Sequence, residues 1–338
     1  MNLRSTLRVG ALATSLAVCS VALADLDIVI SPGAGLAGNA PALAAFNRAA
    51  VQWENTFIDD IVVTINADMV NLGGGGVIGS TSTVLLETDY ATMRAQLITD
   101  ASDELDDAIV SFLPNTAALP VTLAAGKALS GNYIGAKANL KAAGFAGLDG
   151  TFGPTDATIN FNTQFSFDFD NSDGVSPGTM DFETVAAHEL GHALGFISFV
   201  DSVAGTNNVS PMLLDFFRFA NNVGGQDPAS NADFTNFPRN LVVGTDAITD
   251  DIANEWRMST GTSAGGDGNQ ASHWKADDIT GITIGLMDPT LAFQQVEGIT
   301  FADARALDLI GWDNLIPEPA SLALVGFAGL LLLRRRVA

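Results

Sequence analysis

The sequence predicts an α+β fold with a mixed sheet in its first half and a loop-rich second half. In the first half, helical and strand-like patterns follow one another. A strongly apolar helix then occupies the centre of the chain, at residues 182–194. Beyond it, stretches rich in glycine and small polar residues at 221–236 and 259–271 separate short apolar runs. The length of 338 residues suits one domain with two lobes, which we place at 25–195 and 196–316.

The first half begins with a predicted helix and a predicted strand. Residues 41–57 carry apolar side chains at every third or fourth position, which is the spacing of an amphipathic helix. The β-branched run at 61–67 is typical of a strand, and the glycines at 73–76 predict a flexible turn. Two short helices are predicted at 90–98 and 103–112.

Further strands and helices surround the central helix. Alternating apolar and polar residues predict two strands near a sheet edge, at 158–162 and 164–169. Asp181 can cap the central helix, and Gly195 suits the position that follows its last turn. A final helix is predicted at 301–312, where the apolar residues are spaced to pack inward.

Both ends of the chain resemble sorting signals. Basic residues, an apolar run and a small-x-small sequence predict a secretory signal peptide at 1–24. The segment at 317–338 joins Pro-Glu-Pro, a short apolar run and three arginines, and it resembles a PEP-CTERM sorting tail. That resemblance implies a Gram-negative bacterium, export through the inner membrane, transient anchoring there and removal of the tail by an exosortase-type processing enzyme. The product would then be secreted or remain at the cell surface. A plain C-terminal anchor is the alternative.

The charge of the predicted mature chain limits its partners. Residues 25–316 contain 10 basic and 37 acidic residues, which gives a net charge of −27. A surface of this sign repels nucleic acid and anionic lipid, so neither is an expected partner. Cys19 is the only cysteine and lies in the predicted signal peptide, so the mature chain has no disulfides. The acidic run at 168–174 could hold Ca²⁺, but its spacing departs from the calcium-loop pattern and favours a solvated turn.

The chain has three histidines, and two of them form a His-Glu-x-x-His motif. His188 and His192 stand four residues apart on the predicted central helix, so both side chains project from one face. Imidazole nitrogen is a common zinc ligand, and a glutamate in this motif can take a proton from zinc-bound water. Glu189 is the only charged side chain within 185–196, and burying a lone carboxylate is costly. The motif predicts one Zn²⁺ per chain and Glu189 as the general base.

A catalytic zinc site needs a third protein ligand, for which the sequence offers several candidates. In the extended pattern His-Glu-x-x-His-x-x-Gly-x-x-His, Ser198 stands in place of the third histidine. Glu255 and Asp201 are carboxylate alternatives. His273 is the preferred ligand, because it is the only remaining histidine and zinc binds imidazole well.

Three short patches resemble the leishmanolysin-like metalloproteases: residues 188–196, 272–274 and 285–289. The resemblance implies a zincin or metzincin-like catalytic domain with His273 as a displaced third ligand. It also implies that Met287 forms a supporting methionine turn, and that Gly195 ends the active-site helix.

The resemblance is strongest to exported bacterial metalloproteases that carry a PEP-CTERM tail. Those proteins share the run Ala-Leu-Asp-x-Ile-Gly-Trp, which stands here at 306–312. Leishmanolysins are rich in cysteine, whereas this mature chain has none, so the likeness concerns the active site more than the scaffold.

The combined prediction is an exported zinc endopeptidase with its catalytic domain at 25–316. Its partner would be a protein or peptide substrate that lies along an edge strand, for which 164–169 is the candidate. The alternative is a non-catalytic surface or extracellular-matrix protein that retains a zincin fold for stability or binding. The intact Glu189 favours the enzyme.

Overall fold

The computed structural model describes residues 26–103, 107–221 and 226–314. The two predicted sorting segments, 1–24 and 317–338, lie outside these ranges. The described chain is α+β, as predicted, with one four-stranded mixed sheet, many short strands and a central helix. Within these ranges, no helix is both long enough and apolar enough to cross a membrane.

Ten α-helices occur in the described residues, and most of them are short. In chain order they are α1 (Ala34–Ala37), α2 (Ala40–Glu54), α3 (Tyr90–Asp100), α4 (Lys137–Ala142), α5 (Leu148–Phe152), α6 (Phe182–Leu194), α7 (Val200–Val203), α8 (Asn231–Asn236), α9 (Asp277–Thr280) and α10 (Phe301–Asp308). The longest are α2 and α6, with 15 and 13 residues. These two helices pack against each other in the core.

The strands are also short, and most pair in small ladders. In chain order they are β1 (Asp27–Pro32), β2 (Val62–Val70), β3 (Gly79–Thr83), β4 (Leu85–Asp89), β5 (Val121–Thr122), β6 (Ala128–Leu129), β7 (Asn132–Ala136), β8 (Thr155–Asn162), β9 (Phe167–Asp168), β10 (Met180–Asp181), β11 (Asn208–Val209), β12 (Arg218–Ala220), β13 (Arg239–Asn240), β14 (Ala247–Asp250) and β15 (Glu255–Met258). The main sheet has the order β1-β2-β8-β3. Strands β1, β2 and β8 run parallel, whereas β3 runs antiparallel to β8 at the sheet edge.

The edge strand β3 directs half of its peptide groups away from the sheet. The carbonyl of Ile78 accepts a hydrogen bond from the amide of Asn162 at 2.8 Å, so the even-numbered positions bond to β8. The peptide groups of Gly79, Thr81 and Thr83 therefore face outward. Among the described strands, only β8 pairs with β3, and α6 packs beside it. The result is an open strand edge next to the central helix.

The central helix α6 begins and ends at the predicted residues. Asp181 caps its first turn by accepting a hydrogen bond from the amide of Thr184 at 2.9 Å. Gly195 follows the last turn with a φ of 120°, a left-handed conformation that favours glycine. A Cβ atom at Gly195 would also lie 2.9 Å from the side chain of Asn139. Local sequence therefore fixes both ends of this helix.

Two buried tryptophans hold α6 in the core. Trp53 donates its indole N–H to the carbonyl oxygen of Ala187 at 2.8 Å, and Trp312 donates to that of Leu194 at 2.9 Å. A buried indole N–H needs such a partner, because an unpaired polar group in the core is costly. The main hydrophobic core extends in sequence from Leu26 to Trp312, so both halves of the chain contribute to it.

The predicted strand at 164–169 is wrong in extent and in partner. Only Phe167–Asp168 is extended, as β9, and it pairs with β10 instead of joining the main sheet. The buried side chain of Asn162 accepts a hydrogen bond from the amide of Gln164 at 3.1 Å. This local bond replaces a ladder bond, and the chain turns out of the sheet after β8.

Two predicted helices differ from the structure in type or in length. Of the segment predicted at 103–112, the described stretch Asp107–Phe112 is a 3₁₀ helix. The helix predicted at 301–312 ends as α10 at Asp308, because Gly311 adopts a φ of 106° and closes a turn. The other predicted helices and strands of the first half differ from the structure only at their ends.

Candidate metal centre

Three histidine side chains meet beside α6. His188 and His192 project from successive turns of the helix, and His273 comes from the segment between β15 and α9. The Nε2 atom of His273 lies 3.1 Å from that of His188 and 3.1 Å from that of His192. His192 and His273 are buried, and His188 is partly exposed. The structure therefore brings together the three histidines that the sequence singled out.

A backbone carbonyl orients each of the three rings. The Nδ1 atoms lie 2.8, 2.8 and 3.2 Å from the carbonyl oxygens of Leu286, Phe196 and Gln270. A carbonyl oxygen only accepts hydrogen bonds, so each Nδ1 carries the ring proton and each Nε2 presents a lone pair. Lone pairs cannot hydrogen-bond to one another, and at 3.1 Å they repel. A cation at their common point removes this repulsion.

The donor set fits a zinc ion. Zinc binds neutral imidazole at about 2.0–2.1 Å, so two such nitrogens in a tetrahedral site lie about 3.3 Å apart. The observed separations of 3.1 Å are close to this value. Three protein nitrogens leave a fourth position for water or substrate, which is typical of catalytic zinc sites.

Burial keeps the three rings in the form that binds metal. Desolvation lowers the pKa of His188, and it lowers the pKa of His192 to about 3 with help from the neighbouring ring. The pKa of His273 is also lowered, by burial first and then by the two other histidines. Metal ligation requires the neutral imidazole. At neutral pH, all three imidazoles are therefore in the neutral form that a metal site would require.

Glu189 lies beside the histidines and is held by the edge strand. The hydroxyl of Thr81 donates a hydrogen bond to Oε2 of Glu189 at 2.6 Å. The other carboxylate oxygen packs against Gly79, where an added Cβ atom would lie 2.5 Å from Oε1. Burial raises the pKa of Glu189 to about 7, and the Thr81 hydrogen bond opposes part of this rise. A carboxyl group with this pKa can accept and release a proton near neutrality.

Met287 is fully buried against α6. A Cβ atom at Gly191 would lie only 2.4 Å from the Met287 sulfur, so the thioether packs on the backbone of the helix. The carbonyl of Met287 accepts a hydrogen bond from the amide of Trp274 at 2.9 Å, next to His273. Met287 therefore connects the helix that bears two histidines with the segment that bears the third.

Two of the other candidates for the third ligand have different partners. Ser198 donates its hydroxyl to the buried carboxylate of Asp215 at 2.6 Å. Asp201 accepts a hydrogen bond from the amide of Ala271 at 2.6 Å, two residues before His273. Both residues line the cleft, and their bonds hold the segments that follow His192 and precede His273.

The remaining acidic candidates lie apart from the histidines. Glu255 groups with Asp227 and Asp250, whose carboxylate oxygens lie within 4.8 Å of one another. In the acidic run considered for calcium, Asp168 and Asp170 accept hydrogen bonds from nearby serines and backbone amides, which lower the pKa of both. Neither belongs to a group of potential metal ligands in the described ranges. Calcium binding by this run stays a prediction.

The histidines open into a cleft with a volume of about 820 Å³. Strand β3, the glycines before it and the segments 268–273 and 286–291 contribute to its lining. Among the described residues, four acidic side chains and no lysine or arginine line the cleft; the acids are Glu189, Asp201, Asp288 and Glu297. The predicted substrate strand at 164–169 does not line it, so β3 takes its place as the open edge beside the histidines.

Thr81 and Gly79 belong to this site, although the sequence did not reveal them. Strand β3 reads Gly-Ser-Thr-Ser-Thr and has no alternation of apolar and polar residues. Its only strand signal is the pair of β-branched threonines at positions 81 and 83, which share one face. Contacts with α6, which lies about a hundred residues later, give these small residues their role.

No protein-family model, curated protein or solved structure matches this chain. The three patches that resemble the leishmanolysin-like metalloproteases nevertheless come together in space. Residues 188–196, 272–274 and 285–289 are joined through the His188–His273, His188–Leu286 and Trp274–Met287 contacts.

Proposed function

We propose that this chain is a zinc-dependent endopeptidase of the metzincin type. The observation that carries the proposal is the convergence of three Nε2 lone pairs beside a buried glutamate in an open cleft. His188, His192 and His273 would hold the metal, and Met287 would support them from the adjoining turn. When bound, zinc supplies Lewis acidity that lowers the pKa of a water molecule.

Glu189 is the general base in this proposal. It follows His188 directly on α6, and its carboxylate points into the cleft under the hydroxyl of Thr81. It takes a proton from the attacking water and returns a proton to the amine that leaves. Thr81 and Gly79 restrict the carboxylate to one position, which favours proton transfer along one path.

The substrate would bind as an extended chain, antiparallel to β3. The outward peptide groups of Gly79, Thr81 and Thr83 can form a ladder with a peptide of any sequence. This edge lines the same cleft as the histidines, so a bound chain passes Glu189. Only an extended polypeptide can form such a ladder. The open strand edge therefore favours proteins and peptides as substrates over small esters.

Zinc content and peptide cleavage test the proposal with two substitutions. Glu189→Gln keeps all three histidines, so we expect about one zinc per chain and a loss of activity of about 10²- to 10⁴-fold. His273→Ala removes one ligand, so we expect loss of zinc and of activity together. The measurements are metal analysis of the purified mature protein and cleavage of unfolded casein. Full zinc retention by His273→Ala would show that the ligand set is wrong.

The non-catalytic alternative predicts a different outcome for the same proteins. A wild-type chain that binds zinc but cleaves no protein or peptide, and that Glu189→Gln leaves unchanged, would be a binding or structural zincin. The buried and fully positioned carboxylate of Glu189 favours the enzyme, because burial of a charge without a role is costly.

Export and tail removal remain proposals from residues 1–24 and 317–338. Expression in a Gram-negative host that has an exosortase should give a mature protein that begins at Asp25 and lacks the terminal arginines. N-terminal sequencing and intact mass measure both ends. A full-length mass in the extracellular fraction would contradict processing at either end.

A further inference from the structure

Asp303 is a buried carboxylate without a cationic partner. It lies in the first turn of α10 and is fully buried. The ion pairs among the described residues do not include it. Burying such a charge is costly unless several donors stabilise it, and a nearby positive charge reduces the cost further.

Five donors from three segments surround this carboxylate. Oδ1 accepts hydrogen bonds from the indole N–H of Trp274 at 2.7 Å and from the amide of Met287 at 3.1 Å. Oδ2 accepts from the amide of Leu286 at 2.8 Å, and from the amide and hydroxyl of Thr300 at 2.8 and 2.9 Å. The two Thr300 bonds cap α10, whereas the three others reach segments far from it in sequence.

The segments that Asp303 binds are those that orient the histidines. Trp274 follows His273 directly, so the Trp274 bond fixes the backbone at the third ligand. The carbonyl of Leu286 accepts the Nδ1 proton of His188 at 2.8 Å, and the amide of the same residue donates to Asp303. The Asp303 carboxylate therefore contacts Leu286, which orients His188, and Trp274, which follows His273. These two histidines lie 85 residues apart in the sequence.

The contact between the Asp303 side chain and the turn before Leu286 depends on Gly285. A Cβ atom at Gly285 would lie 2.4 Å from Oδ2 of Asp303 and 2.4 Å from the hydroxyl of Thr300. No side chain fits there, so the turn before Leu286 can close on the carboxylate only with glycine.

We propose that Asp303 is the positioning residue of the metal centre. It holds the backbone at Trp274 and Leu286 so that the Nε2 atoms of His273 and His188 meet at one point. This inference rests on the proposed zinc site.

A purely structural role for Asp303 makes a different prediction. If the carboxylate only caps α10, its loss lowers the stability of the fold but leaves the zinc affinity of the folded protein unchanged. If it positions the ligands, the affinity falls as well. Loss of a residue that hydrogen-bonds to a metal ligand typically lowers metal affinity by about 10- to 100-fold. The affinity for zinc therefore separates the two roles.

The test compares three variants of the full chain. Asp303→Asn keeps the shape but removes the charge and one acceptor, so we expect zinc to bind about 10- to 100-fold more weakly. Trp274→Phe removes only the indole donor, so we expect a loss of zinc affinity of about two- to tenfold, the value of one hydrogen bond. Trp312→Phe is the matched control, because Trp312 is equally buried and its indole N–H binds α6 outside these segments. We expect it to keep wild-type zinc affinity.

Competition with a chromophoric chelator gives the zinc affinity, and circular dichroism confirms that each variant is folded. The absorption of a Co²⁺ derivative reports the ligand geometry independently of activity. Wild-type affinity in Trp274→Phe, or an equal loss in Trp312→Phe, would overturn the inference and leave the zinc site standing. Should Asp303→Asn fail to fold, Trp274→Phe still decides. A wild-type chain that binds no zinc would instead overturn the proposed function itself.

Discussion

Gly191 lies between His188 and His192 on α6, where glycine weakens a helix by about 1 kcal/mol relative to alanine. Its surroundings explain this choice. A Cβ atom would lie 2.4 Å from the sulfur of Met287 and 3.3 Å from the ring of Trp53. Contact between the helix backbone and the methionine therefore outweighs helix propensity at this position.

We expect Gly191→Ala to destabilise the protein in spite of the better helix propensity of alanine. Overpacking against Met287 costs about 1–3 kcal/mol, of which about 1 kcal/mol is regained from propensity. Urea unfolding of the zinc-free protein measures the net loss, which should be about 1 kcal/mol. Gly150→Ala in α5 is the matched control, because no atom lies within 4 Å of its added Cβ. It should be neutral or stabilising, and equal stability of the two variants would contradict the packing explanation.

At the scale of elements, β3 combines two structural features in one short strand. Its backbone presents outward peptide groups to the cleft, and the Thr81 side chain on its inner face holds Glu189. Thr83 shares that face and also lines the cleft, but its side chain forms no hydrogen bond with the residues that the structure describes. The strand therefore couples the place where a peptide would bind to the position of the proposed base.

We expect Thr81→Val to reduce kcat/KM by about 10- to 100-fold, because a hydrogen bond to a charged group contributes about 1.5–3 kcal/mol. Valine keeps the shape of threonine, so zinc content should not change. Thr81→Ser restores the hydroxyl and should recover most of the activity, and Thr83→Val is the control on the same strand. Cleavage of a fluorogenic peptide gives the rates. Full activity in Thr81→Val would show that Glu189 needs no support from β3.

Across the described chain, several buried or partly buried carboxyl groups have raised pKa values. Burial is the main cause in each case, and neighbouring acids add to it. The pKa of Asp59 is raised to about 8, and the pKa values of Asp100, Asp250 and Glu297 are raised to about 7. The folded chain thus holds protons that the unfolded chain releases near pH 4.

The sign of the pH dependence follows from this difference. A carboxyl group with a raised pKa stabilises the fold fully below pH 4, and its contribution is lost as the pH rises towards 8. The histidines act in the opposite direction, since their lowered pKa values cost stability only below about pH 6.5. Between pH 6.5 and 8 the carboxyl groups dominate. The free energy of unfolding should therefore fall over this interval.

We expect Asp59→Asn to reduce this fall in the free energy of unfolding by about 1.5 kcal/mol between pH 6.5 and 8, because the amide does not titrate. Urea unfolding at the two pH values, in the presence of a chelator, measures the slope. Asp89→Asn is the control: this exposed cap has a lowered pKa and titrates below pH 4. An unchanged slope in Asp59→Asn would show that Asp59 is already ionised in the folded state.

Features determined by short stretches of chain could be predicted from the sequence, and features determined by distant contacts could not. The boundaries of α6 follow from its apolar spacing, the cap at Asp181 and the glycine at 195. His273 stands out in the sequence because histidine is rare in this chain. No pattern around it predicts that it lies close to α6 in the fold. The part played by Asp303 depends on partners 16 to 29 residues away, in segments without regular periodicity.

The location of Trp312 and Asp303 has a consequence for the time course of folding. Both lie near the end of the described chain, yet one binds the end of α6 and the other binds the turn and loop beside the histidines. A growing or translocating polypeptide emerges from its N-terminus, so His188 and His192 are exposed long before these late residues arrive. The Asp303 carboxylate, which holds the segments that orient His188 and His273, therefore arrives only after most of the described chain has emerged. Synthesis order thus delays completion of the cluster.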